Sequence, residues 1–282
     1  MSGKLLLSAT ELDGLLAGQK CLAVDCRFDF GDPARGRRDW LSGHIPGARY
    51  ANLDTDLSSP IQAHSGRHPL PDSGRFAEYL AAIGWTPGML LVAYDEGPNA
   101  VASRLWWLMR YFGQPSALLD GGLAAWTSAG LPLEQGEPDF EPAAVERLQP
   151  DREMIVTSRM VSDSLEDGSL CIVDARAGQR FTGEVETLDT RAGHIPGSLN
   201  RPFAANLRLN GRFKDAAELR EDFEDLLEDH DRRRVAHSCG SGVTACHNLF
   251  AMELAGLTPG RLYAGSWSEW IQDPDRPIAT GR

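Results

Sequence analysis

The sequence lacks the features of a membrane or secreted protein. No apolar run approaches the roughly 20 residues that a transmembrane helix needs. The opening stretch, MSGKLLLSATELDGLLAG, has too short an apolar run for a signal peptide, and its acidic residues come early. We therefore expect a cytoplasmic protein with no membrane partner.

Basic residues and paired cysteines are also scarce. The 28 Lys and Arg are outnumbered by 40 Asp and Glu, and the formal net charge of −12 argues against a nucleic-acid partner. The five cysteines are odd in number and form no CxxC pair, so neither a disulfide framework nor a zinc site is expected. A hydrophobic content of 42% is enough for a core of normal size.

The sequence does contain an internal duplication. Four blocks of the first half recur in the same order in the second half: AVDCR and IVDAR, SGHIPGARYAN and AGHIPGSLNRP, LLVAYDEGPNAVASRLWWLMRYFG and RRVAHSCGSGVTACHNLFAMELAG, DGGLAAW and AGSWSEW. Their offsets are 149, 150, 143 and 144 residues, too long for a solenoid repeat. We predict an N-terminal domain over 1–131, a linker rich in proline and acids over 132–153, and a C-terminal domain over 154–282.

Each half predicts the same alternation of short apolar strands and helices. That order is typical of an α/β domain with a parallel sheet and helices on its faces. Ser8 and Glu11 form a capping-box pattern at the first helix. The predicted strands are 21–25, 89–94, 116–119, 170–174, 234–238 and 261–263, and the predicted longer helices are 73–83, 99–112, 215–228 and 242–255.

One cysteine, Cys239, is followed directly by Gly-Ser-Gly, between an apolar strand and a helix. Glycine lets a loop turn tightly, and ligands of parallel sheets bind beyond the carboxyl ends of strands. Loop N–H groups and the start of the helix would stabilise a sulfur anion, so we expect a thiolate nucleophile that can also carry a persulfide. The first half has Glu96 at the matching position, which predicts a non-catalytic first domain.

An arginine is missing from the same loop. Cysteine phosphatases need an arginine six residues after the nucleophile to clamp phosphate. Ala245 stands there, so phosphatase chemistry is excluded.

The repeated GHIPG, the LDGGLAAW of the first half and the CGSGVTA of the second half resemble two-domain rhodanese-like sulfurtransferases over nearly the whole chain. The loop is most similar to the 3-mercaptopyruvate branch. The thiosulfate branch typically carries basic residues where this chain has Gly240 and Ser241. The resemblance implies two tandem rhodanese-like domains and sulfur transfer through a Cys239 persulfide, without a metal or an organic cofactor.

The resemblance also implies site residues. Arg180 matches a family arginine that binds the donor carboxylate. The second family arginine lies nine residues on, where this chain has Asp189, and Arg191 is the nearest substitute. Ser241 matches a family serine, and we expect His44 and Asp32 to be its histidine and aspartate partners. The remaining donor-site candidates are the loop residues Gly240, Gly242, Val243 and Thr244.

Two alternatives remain open. One is a thiosulfate:cyanide sulfurtransferase with the same persulfide mechanism, and the other is a non-catalytic sulfur-carrier or regulatory module. The expected partners are a small sulfur donor, 3-mercaptopyruvate or thiosulfate, and an acceptor that is cyanide or a thiol such as a thioredoxin-like protein.

Overall fold

The computed structural model describes residues 4–228 and 230–281, which form two compact units. The first unit contains residues 4–59, 70–151 and 209–212. The second contains 60–69 and most of the chain from 152 onward, so a short segment of the first half packs with the second unit. Every helix in the described part of the chain is too short or too polar to cross a bilayer.

The first unit is a parallel sheet of five strands in the order β1-β5-β4-β2-β3, with helices between the strands. Its elements are β1 (Leu6–Leu7), α1 (Ala9–Ala17), β2 (Cys21–Asp25), α2 (Arg35–Ser42), β3 (Arg49–Tyr50), α3 (Ser73–Ala82), β4 (Leu90–Tyr94), α4 (Ala102–Tyr111), β5 (Ser116–Leu119) and α5 (Gly122–Ser128).

The second unit repeats this topology, with strand order β6-β10-β9-β7-β8 and all pairs parallel. Its elements are β6 (Ile155–Val156), α6 (Ser158–Asp167), β7 (Cys171–Asp174), α7 (Gly178–Thr182), β8 (Leu199–Asn200), α8 (Ala216–Leu227), β9 (Val235–Ser238), α9 (Ala245–Leu254), β10 (Arg261–Tyr263) and α10 (Ser266–Trp270).

Burial explains why the strands read as unbroken apolar runs. In a parallel sheet covered on both faces, side chains on both sides of each strand meet helices. All five residues of β2 and all four of β9 are buried. Trp126 packs in the apolar core of the first unit, and Trp267 and Trp270 pack in that of the second. The predicted α/β class with two tandem domains is confirmed.

The predicted helices agree with the structure except at two starts. α4 and α9 begin three residues later than the expected 99 and 242, because the preceding residues form loops at the ends of β4 and β9. The predicted capping box is present: the Ser8 hydroxyl accepts from the Glu11 N–H, and the Glu11 carboxylate accepts from the Ser8 N–H.

Candidate active site

Cys239 lies directly after the central strand of the second sheet, and its residue is 2% exposed. Its N–H donates to Ser266 Oγ at 3.0 Å, and its carbonyl accepts from the Trp267 N–H at 3.0 Å. The Gly240 carbonyl accepts from the Ser268 N–H at 2.9 Å. The start of α10 therefore fixes the backbone on which the thiol stands.

Ser266 holds this arrangement in an uncommon conformation. Its φ of +52° is rare for a residue other than glycine, asparagine or aspartate. Its hydroxyl donates to the Tyr263 carbonyl at 2.8 Å while accepting from the Cys239 N–H. These two hydrogen bonds offset the local backbone strain, which is a pattern found at functional sites.

Gly242 is required by the shape of the loop. Its φ is +73°, and a Cβ built on it would lie 2.3 Å from the Ala264 carbonyl oxygen. The loop thus passes against the backbone between β10 and α10 at a distance that no side chain permits. This contact aligns the residues after Cys239 over the start of α9.

The first unit contains the same loop with its N–H groups already occupied. The Asp95 carboxylate accepts hydrogen bonds from the N–H groups of Gly97, Asn99 and Val101 at 2.8–3.1 Å and from that of Ala102 at 3.4 Å. Asn99 has a φ of +58° and aligns with Gly242, so the two loops share the left-handed turn. Burial raises the pKa of Asp95, although these N–H donors oppose that shift.

In the second unit, Ser238 aligns with Asp95 and supplies no carboxylate. The N–H groups of Gly240, Thr244 and Ala245, which align with three of the four donors to Asp95, meet no acceptor among residues 4–228 and 230–281. Four convergent N–H groups hold a carboxylate in one loop. The matching groups of the other loop are consequently suited to a negative group next to Cys239.

Thr244 does not cap α9 through its side chain. It stands at the N-cap position, but no side-chain capping hydrogen bond is present. Val243 is 2% exposed, and its carbonyl accepts from the Cys246 N–H at 3.1 Å.

A histidine contacts Ser241, and it is His68. His68 Nδ1 lies 2.7 Å from Ser241 Oγ, and both residues are buried. His68 belongs to the segment 60–69 that packs with the second unit. At this distance the two atoms form a hydrogen bond, through which the hydroxyl and the ring nitrogen can exchange a proton.

His44 and its repeat counterpart His194 have one matching role in their own units. His44 Nδ1 lies 2.7 Å from the Trp40 carbonyl, and His194 Nδ1 lies 2.8 Å from the Phe181 carbonyl. Each ring also stacks on the side chain of the residue whose carbonyl it contacts. Both histidines therefore hold the turn of the GHIPG motif, and a chemical role for His44 stays a prediction.

Asp32 and Arg191 also stay predictions. Asp32 lies in the first unit, where its carboxylate pairs with Arg38 and that ion pair lowers its pKa. Arg191 lies in the second unit, where its carbonyl accepts from Trp267 Nε1 at 2.9 Å.

Arg180 lies beside Gly240, and its donor-binding role stays a prediction. Its Nη2 donates to Glu186 Oε1 at 2.7 Å and to Asp189 Oδ2 at 3.0 Å. A Cβ built on Gly240 would lie 3.6 Å from Arg180 Nη1. Burial favours a raised pKa for Glu186, but hydrogen bonds from Arg180 and from two backbone N–H groups lower it on balance.

Arg67 also reaches this place. Its Nη1 donates to Asp189 Oδ1 at 2.6 Å, and its Nη2 would lie 3.2 Å from a Cβ on Gly240. Like His68, it comes from the segment 60–69, and sequence reasoning overlooked both residues. A signal was present: the repeat offset drops from 150 to 143 residues between the second and third blocks, so the first half has seven extra residues in the interval that contains this segment.

Comparisons with known proteins agree with this description. The rhodanese-like domain model matches residues 8–129 and 157–273. A probable 3-mercaptopyruvate sulfurtransferase of Pseudomonas aeruginosa is 46% identical, with all of both chains covered. A putative thiosulfate sulfurtransferase of Mycobacterium tuberculosis is 35% identical over 99% of this chain and 98% of that protein.

Among solved structures, 3-mercaptopyruvate sulfurtransferase from Leishmania major superposes with a TM-score of 0.85 at 30% identity, over 98% of this chain and 76% of that one. The resemblance drawn from GHIPG and CGSGVTA is thus confirmed. The chain belongs to the rhodanese family and carries two rhodanese-like domains.

Proposed function

We propose that this protein is a sulfurtransferase that moves a sulfane sulfur from 3-mercaptopyruvate to a thiol or to cyanide, with Cys239 as the carrier. The observation that carries the proposal is the loop of Cys239. The buried Cys239 begins a loop in which the N–H groups of Gly240, Thr244 and Ala245 meet no acceptor in the described chain, and guanidinium nitrogens of two arginines lie near Gly240.

In the first step, the Cys239 thiolate attacks the sulfur of 3-mercaptopyruvate. The S–S bond forms, the C–S bond breaks, and its electron pair goes to carbon, which takes the proton of the donor thiol to give pyruvate. The products are a Cys239 persulfide anion and pyruvate, so atoms and charge balance. A covalent intermediate divides one hard transfer into two easier ones.

The loop stabilises the persulfide in this proposal. The outer sulfur carries the negative charge, and the N–H groups of Gly240, Gly242, Val243 and Thr244 surround it. The occupied loop of the first unit supports this role, because the N–H groups aligned with Gly240, Gly242 and Thr244, together with that of Ala102, hold the Asp95 carboxylate there. Preorganised donors of this kind stabilise developing charge without reorganising.

Ser241 and His68 move the proton in this proposal. The departing carbon must be protonated as the donor thiol loses its hydrogen. A hydroxyl and an imidazole 2.7 Å apart can relay that proton. Arg180 binds the donor carboxylate through the nitrogen that faces Gly240.

In the second step an acceptor takes the outer sulfur. Cyanide attacks that sulfur, the S–S bond breaks, and thiocyanate leaves with the Cys239 thiolate restored. A thiol of a thioredoxin-like protein would accept the same sulfur as a persulfide.

Thiosulfate is the second candidate donor, and one relative bears the name of a putative thiosulfate sulfurtransferase. It carries two charges, and its binding benefits from cations in the loop, where this chain has Gly240 and Ser241. We therefore expect a higher kcat/KM for 3-mercaptopyruvate than for thiosulfate on one preparation. The reverse order would make thiosulfate the donor.

Trapping the intermediate tests the reaction. Incubation with 3-mercaptopyruvate and no acceptor should add about 32 Da to the peptide that contains Cys239 and release pyruvate. Cys239→Ala should abolish both. Cys171→Ala, which alters a buried cysteine of β7, is the matched control and should retain both. A wild-type protein that forms no adduct and turns over neither donor would instead support the non-catalytic carrier.

A further inference from the structure

We propose that Arg67 is the second donor-binding cation of the Cys239 site, and that Asp189 positions it there. This inference rests on the proposed function and assigns the carboxylate contact that the family resemblance leaves vacant. The resemblance places an arginine at position 189, and this chain has an aspartate there.

The two guanidinium groups share one buried anchor. The Asp189 side chain is 3% exposed, and each of its oxygens accepts a hydrogen bond from a different arginine: Oδ1 from Arg67 and Oδ2 from Arg180. The Glu186 side chain is 5% exposed, and it accepts a further hydrogen bond from Arg180. An unpaired aspartate at position 189 would repel a donor carboxylate. Here both oxygens of Asp189 accept hydrogen bonds from arginines.

The opposite sides of the same guanidinium groups converge on the reactive loop. Arg67 Nη2 and Arg180 Nη1 would lie 3.2 Å and 3.6 Å from a Cβ on Gly240, the residue that follows Cys239. Within residues 4–228 and 230–281, neither nitrogen has a hydrogen-bond acceptor. Two donors from two arginines next to the nucleophile match the two oxygens of a carboxylate.

The backbone around Arg67 is held independently of its side chain. The Arg67 N–H donates to Ser268 Oγ at 3.0 Å, and a Cβ on the preceding Gly66 would lie 2.5 Å from the Gly265 carbonyl oxygen. The neighbouring His68 contacts Ser241. Loss of the guanidinium should therefore leave the segment 60–69 in place, and its charge can be tested separately from its fold.

The charge of this group of side chains also fits a donor with one carboxylate. Arg67 and Arg180 are balanced by Glu186 and Asp189, so the guanidinium nitrogens offer hydrogen bonds without a large excess of positive charge. A dianion would gain less from such a site than from a loop with uncompensated lysines or arginines.

The test compares Arg67→Gln with the wild type on two donors that differ in one charge: 3-mercaptopyruvate and its neutral amide. Loss of a charge-assisted hydrogen bond should raise KM for 3-mercaptopyruvate by about 10- to 100-fold with a small change in kcat. KM for the amide should stay within about twofold, because the amide lacks the charge that Arg67 recognises. Ki for pyruvate as a competitive inhibitor should rise by the same factor as KM for the charged donor.

Matched variants complete the design. Arg67→Lys should recover part of the lost affinity, because it keeps the charge but not the planar fork. Asp189→Asn should raise KM and Ki in the same direction as Arg67→Gln, as expected of a positioning residue. Arg208→Gln removes an exposed arginine that pairs with Asp215 and Glu218, and it should behave as the wild type.

The outcomes separate this inference from the proposed function. A wild type that forms the Cys239 persulfide from 3-mercaptopyruvate, with an Arg67→Gln variant whose KM and pyruvate Ki are unchanged, overturns the role of Arg67 alone. If Arg67→Gln loses equal affinity for pyruvate and for neutral pyruvamide, and its thermal midpoint falls, the role of Arg67 would likewise be overturned in favour of a structural ion pair. Absence of the persulfide in the wild type would overturn the proposed function first.

Discussion

Gly242→Ala should disable the loop of Cys239 more than it unfolds the protein. An alanine at position 242 would lower the stability of the protein for two reasons. The left-handed conformation costs a residue other than glycine about 1–2 kcal/mol. Its Cβ would stand 2.3 Å from the Ala264 carbonyl oxygen, where real Cβ contacts essentially never come under 3.0 Å. Moving that backbone costs a further 1–3 kcal/mol or so, as overpacking does, and we expect about 2–5 kcal/mol in all.

Gly197 supplies a matched control. It has the same φ of +73°, yet a Cβ on it would meet nothing within 4 Å. Gly197→Ala should therefore cost only the conformational part, about 1–2 kcal/mol. The difference between the two variants measures the contact with Ala264 alone.

The same contact leads to Cys239. Ala264 precedes Ser266 by two residues, and the Ser266 hydroxyl accepts from the Cys239 N–H at 3.0 Å. A backbone that retreats from an alanine at 242 should displace this hydrogen bond, and it should slow persulfide formation in Gly242→Ala. Gly197→Ala should form the persulfide at the wild-type rate.

Thermal unfolding and a single-turnover assay with 3-mercaptopyruvate measure the two effects. At roughly 4 °C per kcal/mol for a domain of this size, the midpoint should fall clearly further for Gly242→Ala than for Gly197→Ala. Equal midpoints for the two variants, together with normal persulfide formation in both, would refute the close approach of this loop to Ala264.

Three further predictions concern side chains. Ser241→Ala should lower kcat by about 100-fold or more if the hydroxyl relays a proton; combined with His68→Gln it should lose little more, and multiplicative losses in kcat would separate the two residues. Burial lowers the pKa of His237 from 6.5 to about 3, so the unfolded chain takes up a proton below pH 6.5 that the folded chain refuses. Stability should then fall by about 1.4 kcal/mol per pH unit from this residue as the pH drops toward 3, and His237→Gln should show a flatter decline in urea unfolding; a slope equal to that of the wild type would assign the decline elsewhere. Asp95→Asn should lower the thermal midpoint, since a buried amide replaces an acceptor of several N–H groups at about 1–3 kcal/mol, while persulfide formation on Cys239 stays normal; an unchanged midpoint would contradict the occupied loop.

Local patterns predicted the fold well because each strand and helix is specified by its own residues. The apolar runs around Cys21, Leu91 and Ile172 are buried on both faces of a parallel sheet, so they contain no polar alternation. The duplication also helped, since each predicted strand or helix of one half could be compared with its counterpart in the other half. Helix starts were less accurate, because the residues directly before α4 and α9 still belong to the loops that follow β4 and β9.

The sequence named candidate site residues where they follow a local pattern or a family motif. Cys239, Ser241 and Arg180 follow strands or a family motif, and all three lie in the second unit. Arg67 and His68 were missed because they come from a segment of the first half that packs with the second unit. No periodicity reports such a contact. His44 was expected from the family resemblance to be the partner of Ser241, while the repetition of its motif at His194 is what a turn-holding histidine predicts.

The duplicated loops separate what the fold supplies from what the side chains add. Both loops have a left-handed residue at the same place, Asn99 in one and Gly242 in the other, and in the first loop the N–H groups converge on one carboxylate. The fold alone therefore creates a place for negative charge. In the first unit the Asp95 carboxylate fills it, and in the second unit the aligned residue is the neutral Ser238, directly before Cys239. A persulfide is the anion that this thiol can acquire and release, so sulfur transfer follows from an anion site that one half of the chain has closed and the other half has kept open.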